Sequence, residues 1–330
     1  ALRRLRPQND GLLDQLGRAY LRQRYIDRAY CQFRTLRYRR GRLGEKPQQF
    51  LERFDRPVFR ESSEPISEEL LVEYLYPEQM DRHINRVFTI LMGGLQEWIA
   101  ERRSEFGLSR SDQIDLAEPL VFNNIYTSIA DALEFGKNPP DLWRSGDRKG
   151  LRKAPLHPAG LLVGDEVLGG GEETRTAFGI ARQLFLTRGP FYLVGLRPMS
   201  DLQAFFLLAI DLVDPEFELD KGPEMQDAYR TLDRAIDSEE REHLAYSVRQ
   251  STDEGREVAI GDWMEQVEDA SNRVGLLFCD SLEAVDAGIH EDPLMFSQRS
   301  AEQRIEDVVQ YATSDRYMSL REKLGIAVSV

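Results

Sequence analysis

Apolar residues recur at helical spacing along most of this chain, and that period confines it to a mainly helical fold. The clearest stretch runs from Pro77 to about Glu105 and puts Met80, Ile84, Val87, Phe88, Leu91, Leu95 and Trp98 on one stripe. Pro77 suits a first helical turn. Gly93 and Gly94 each cost about 1 kcal/mol relative to alanine, so a kink or a close helix contact is expected there. The same spacing predicts helices over Asp10–Leu21, Tyr25–Tyr38, Asp115–Glu134, Glu172–Arg188, Asp201–Val213, Glu224–Ile236, Ser238–Gln250, Asp262–Ala287 and Ala301–Ala312. Strand candidates are short: Asp141–Arg144, Leu161–Gly164 and Phe191–Val194. Three helix ends carry local signals. Arg188-Gly189-Pro190 reads as a cation, a glycine cap and a stop, while Ser200/Gln203 and Asp262/Glu265 have capping-box spacing. Asp253–Gly255 and Pro215–Pro223 read as loops.

Charge divides the chain. The net −14 over 330 residues hides a basic segment, residues 1–42, with twelve arginines and three aspartates. Its net is +9, which leaves −23 for the rest. Such asymmetry marks a module boundary or a basic arm. The apolar fraction, 41%, is too high for a disordered chain. The longest apolar run, Ala204–Ile210, has seven residues against the roughly 20 that a spanning helix needs, so no membrane partner is expected. Two cysteines, Cys31 and Cys279, suit a reducing, cytoplasmic setting and a place in the core. The start at Ala1, running straight into arginine-rich sequence, is expected for a piece of a longer chain.

Within the basic segment, Leu13, Leu16, Gly17, Tyr20, Ala29, Phe33 and Leu36 stand at fixed offsets, closing near Gly41. This resembles one tetratricopeptide repeat, with Leu13 where that family often has Trp and Gly41 where it often has Pro. Gly17 and Ala29 are small where two antiparallel helices approach, and Tyr20 and Phe33 are large where a next pair packs. One repeat cannot bury its own faces. The resemblance therefore implies a terminal repeat over residues 1–45, docked on upstream repeats or on the following domain. Arg18, Arg22, Arg24, Arg28, Arg34 and Arg37 are candidate partner contacts, or else solvated helix faces or contacts to the acidic remainder. Nucleic acid is the weaker reading, because no aromatic-rich groove accompanies them.

The segment Leu161–Leu168, Gly169–Gly171 and Glu172–Arg188 reads as strand, turn and helix. It resembles the core of the HtpX and CAAX-endopeptidase type of zinc metallopeptidase, where the helix carries HExxH. Aligned on Thr176–Ala181, the motif's His, Glu and His fall on Arg182, Gln183 and Leu186. Glu268, Ser271, Asn272, Arg273 and Gly275 resemble that family's second stretch, E-x-x-A-D-R-x-G, whose Glu is the third zinc ligand. The likeness spans about residues 140–288 of a domain covering 46–330. It implies a mainly α protein: a hairpin repeat plus an α-rich zincin-like domain with a small short-stranded sheet.

That frame lacks its chemistry. An arginine about 4 Å from Zn²⁺ repels it by roughly 8 kcal/mol at an effective permittivity near 20. A good zinc site supplies about 10–16 kcal/mol. Gln183 cannot serve as a general base. No cofactor and no metal are expected, and Arg182 is expected to pair with Glu268 across the former site. His83, His157, His243 and His290 form no ligand pair by spacing; Glu239 and His243, four apart, read as a surface ion pair. Gly169–Gly171 reads as a turn, since Glu172 and Glu173 would repel a phosphate. The sequence thus points to a non-catalytic scaffold, a pseudo-metallopeptidase carried at the C-terminal end of a bacterial repeat protein. A divergent hydrolase, and nucleic-acid binding through residues 1–42, remain alternatives.

Overall fold

A computed structural model describes residues 10–56, 58–146, 149–252, 258–292 and 298–329. It is mainly helical, with one small mixed sheet. Helices α1 (Asp10–Arg22) and α2 (Ile26–Arg40) form the expected hairpin. A Cβ on Gly17 would stand 2.6 Å from the Phe33 ring, so glycine sets how closely the two helices approach. Phe33 reaches on to Phe50 of α3 (Glu45–Glu52), edge to face at 5.8 Å. Ala29 and Phe33 belong to the same continuous apolar core as Val308, Met318 and Leu324, near the far end of the chain.

Helix α4 (Glu68–Leu70) runs on as a π-helical turn, Leu71–Leu75, and is followed by α5 (Arg82–Trp98) and α6 (Val121–Ala132). The sheet follows, from β1 (Asp141–Arg144), β2 (Leu151–Ala154) and β3 (Gly160–Val163), in the order β1-β3-β2. The β1–β3 pair is parallel, with Trp143 opposite Leu162, and the β2–β3 pair is antiparallel. A short α7 (Asp165–Leu168) leads to α8 (Glu173–Thr187), α9 (Met199–Val213), α10 (Pro223–Ala235) and α11 (Ser238–Thr252). The chain ends in α12 (Ile260–Cys279), α13 (Leu282–Glu291), α14 (Ala301–Ala312) and α15 (Asp315–Lys323).

Several expected boundaries move, each for a visible reason. The stripe from Pro77 becomes a helix only at Arg82, because the Asp81 side chain accepts from the N–H groups of His83 (2.7 Å) and Ile84 (3.2 Å). Gly94 permits the close contact expected of it, against Leu232 and Ala235 of α10, and α5 runs through both glycines. Residues 115–120 stay out of α6 because Asn123 Nδ2 donates to the carbonyls of Asp115 and Glu118. The long helix over Asp262–Ala287 is two, broken at Asp280, which takes a left-handed conformation (φ +47°) before Ser281 caps α13.

Phe191–Val194 is not a strand. It lies at and beyond a 3₁₀ turn (Gly189–Phe191), and three of its carbonyls are turned toward Lys153. Arg188 ends α8 in extended conformation, and Gly189-Pro190 open that turn rather than forming a left-handed cap. Ser200 and Asp262 cap nothing, since their helices begin at Met199 and Ile260. The capping box among the later helices is Ser300/Gln303, at the start of α14. The Asp253–Gly255 loop, like residues 1–9, lies outside the described residues.

Candidate functional site

Helices α8 and α12 pack along each other in opposite directions, with Phe178 beside Gly275 and Arg182 beside Glu268 and Ser271. The approach is close because Gly275 of α12 and Gly288 of α13 both lie against the Phe178 ring, where a Cβ at either would overlap it. Arg182, Gln183 and Leu186, the positions aligned with HExxH, are all buried on α8, and Glu268 is fully buried on α12.

Arg182 Nη2 stands 3.4 Å from Glu268 Oε1, its Nε donates to Ser271 Oγ at 3.4 Å, and its Nη1 pairs with Asp292. A second guanidinium arrives from α14: Arg304 Nη1 is 2.9 Å from the same Glu268 oxygen. Among the described residues, Arg182, Arg304, Glu268 and Asp292 thus meet in a buried cluster between α8, α12, the end of α13 and α14. Glu268 Oε2, Gln183 Oε1 and both side-chain polar atoms of Asn272 are buried without a hydrogen-bond partner. Leu186 is core, and its carbonyl accepts from Lys153.

The rest of the second stretch is structural. Arg273 donates to both Asp307 oxygens (3.0–3.2 Å) and lies 5.0 Å from the Tyr311 ring centroid. Asp269 takes Arg299, yet burial and the nearby Asp307 charge push its carboxyl up to about 6. Burial, and then the Arg182 charge, pull the Lys153 amine down; it donates to four carbonyl oxygens at the end of α8 and the turn beyond.

The six hairpin arginines have different fates. Arg34 is buried, pairing with Asp280 and donating to its carbonyl at 2.8 Å, so it faces the interior rather than solvent. Arg28 reaches Asp315 (3.1 Å) and Glu322 (3.3 Å), and Arg37 reaches Asp55. Arg18 pairs within its own helix with Asp14. Arg22 and Arg24 are exposed at the hairpin turn, beside the half-exposed Tyr25.

A second ionic centre escaped sequence reasoning. Asp280, at the break between α12 and α13, receives Arg34, Arg60 (2.9 Å) and Arg321 (2.6 Å). Arg321 also grips Asp27 of α2, which accepts in addition from the backbone N–H of Val328. The available signal was positional: Arg34, Arg304 and Arg321 each sit four residues from a buried apolar or aromatic residue on the same helix, Tyr30, Val308 and Tyr317.

Both cysteines are buried, and burial pushes each thiol up to about 12. Among the described residues, no three His, Cys, Asp or Glu side chains gather as metal ligands, and no helix is long and apolar enough to cross a membrane. His243 lies 3.9 Å from Glu239 at the surface, and Gly169–Gly171 form a turn ahead of α8. No family model, curated protein or solved structure matches the chain.

Proposed function

We propose that this chain is a non-catalytic protein-interaction module in which a peptidase-like helix pair serves as scaffold. The observation that carries the reading is the double salt bridge onto Glu268: Arg182 and Arg304 both point at the oxygen a zinc ligand would use. A divalent ion there would meet two guanidiniums, each repelling it by several kcal/mol at about 4 Å. Gln183 offers no base to activate water. The buried cluster instead joins four helices, which suits a rigid support.

The partner face is the hairpin turn. Arg22, Arg24 and Tyr25 present two cations and an aromatic ring to solvent, a pairing common at binding hot spots and suited to an acidic protein surface. The purified full chain is expected to hold no stoichiometric zinc and to leave unfolded casein intact, with or without added zinc. A photo-crosslinker at position 25 should give one discrete heavier adduct in cells, lost when Arg22 and Arg24 become Glu. Zinc-dependent cleavage abolished by Glu268→Gln would overturn the proposal.

A further inference from the structure

A cleft of about 490 Å³ opens on the opposite side of the sheet from the ionic cores, between the Arg103–Phe106 turn, the edge strand β1 and the loop Leu156–Pro158. We propose that it binds a small zwitterion of the amino-acid or dipeptide type. Its volume lies in the range of small-molecule sites.

Trp143 lines this cleft. Its ring is almost wholly buried (2% exposed), and its Nε1–H has no acceptor. A buried donor left unpaired is costly, and native proteins leave few of them. The indole is held in place: the Arg103 guanidinium lies 5.2 Å from the ring centroid, and a Cβ on Gly160 would come within 3.3 Å of Nε1. The other two tryptophans do have acceptors, Trp98 on Asp227 (3.1 Å) and Trp263 on Asn85 (2.7 Å).

The charges at the rim are of both signs. Arg102 and Arg103 stand together and, among the described residues, neither is paired with a carboxylate. Glu101 and Asp141 supply two negative charges to the same cleft. A simple anion would be repelled by the carboxylates and a simple cation by the guanidiniums. A molecule with a carboxylate at one end and an ammonium at the other satisfies both, and the Trp143 ring beneath the rim reports on its arrival. Leu156 and Pro158 offer an apolar wall for a side chain.

The test follows the indole N–H signals of the ¹⁵N-labelled full chain, Trp143 being identified by Trp143→Phe. Added L-leucyl-L-leucine or L-leucine should move the Trp143 signal saturably and leave those of Trp98 and Trp263 in place. Arg102→Ala and Arg103→Ala, both at exposed positions, should each weaken binding about tenfold, as expected for one lost charged hydrogen bond. N-acetyl-L-leucine, without the ammonium, and L-leucinamide, without the carboxylate, should each bind at least tenfold more weakly. No saturable movement, equal binding of either blocked compound, or movement that survives both arginine substitutions would overturn the proposal.

Discussion

At the scale of single residues, burial decides behaviour. Glu268 holds two guanidiniums in the interior, so Glu268→Gln removes the charge that both require. Breaking one side of a buried ion pair costs about 3–5 kcal/mol. The expected result is a melting temperature lower by several degrees, read by calorimetry; an unchanged value would contradict a buried pair. Gly275→Ala tests packing instead. The new methyl overlaps the Phe178 ring, and overpacking of this kind costs about 1–3 kcal/mol. The double variant with Phe178→Leu should lose less than the sum of the two single losses, the signature of direct contact. Cys31 and Cys279, with thiols pushed up to about 12 by burial, should not react with a disulfide reagent at pH 8 until the chain unfolds.

At the scale of elements, polar contacts override local propensity. Periodicity alone carries a helix from Asp262 through Ala287, yet the chain breaks at Asp280, where three arginines converge. Asp280→Asn keeps the shape and the tolerance for left-handed backbone while removing the charge, and it should cost about 3–5 kcal/mol in denaturant unfolding. The α12–α14 contact carries a pH dependence. Asp269 faces Arg299, Arg273 and Asp307, and its carboxyl is pushed up to about 6, above the ordinary 3.8. A folded-state value above the unfolded one gives stability that is fully present below about pH 4 and lost as pH rises through 6. Relative to Asp269→Asn, the native chain should therefore gain stability as pH falls from 8 to 5. The full shift is worth on the order of 3 kcal/mol, and urea midpoints at several pH values measure it.

At the scale of the molecule, the +9 and −23 of the two segments meet in specific pairs. Arg28 joins Asp315 and Glu322, Arg34 joins Asp280, and Arg321 returns the contact onto Asp27. Because Ala29 and Phe33 share one core with α14 and α15, hydrogen exchange should protect α2 as strongly as α12. A hairpin that exchanges in seconds while α12 stays protected would mark two independent units.

The helical class, the hairpin with its close Gly17 contact, and strand β1 were all open to reading from local spacing, since each depends on neighbours within a few positions. The buried Arg182–Glu268 contact was anticipated only through resemblance to a motif whose two halves lie 86 residues apart. Arg304, Asp292, Lys153 and the Asp280 centre were not legible in the same way. A charged residue on an apolar stripe announces that it needs a partner, but the partner comes from another helix. Strand β2 shows the same limit. Leu151–Ala154 lacks any apolar alternation, and it becomes a strand because β3 presents it with a free edge. By itself the sequence determined which segments coil and which faces are apolar, because helix period and burial pattern are properties of adjacent residues. Only the tertiary structure decided where the buried charges are satisfied, because an ion pair in the interior requires side chains brought together from as far apart as Asp27 and Arg321.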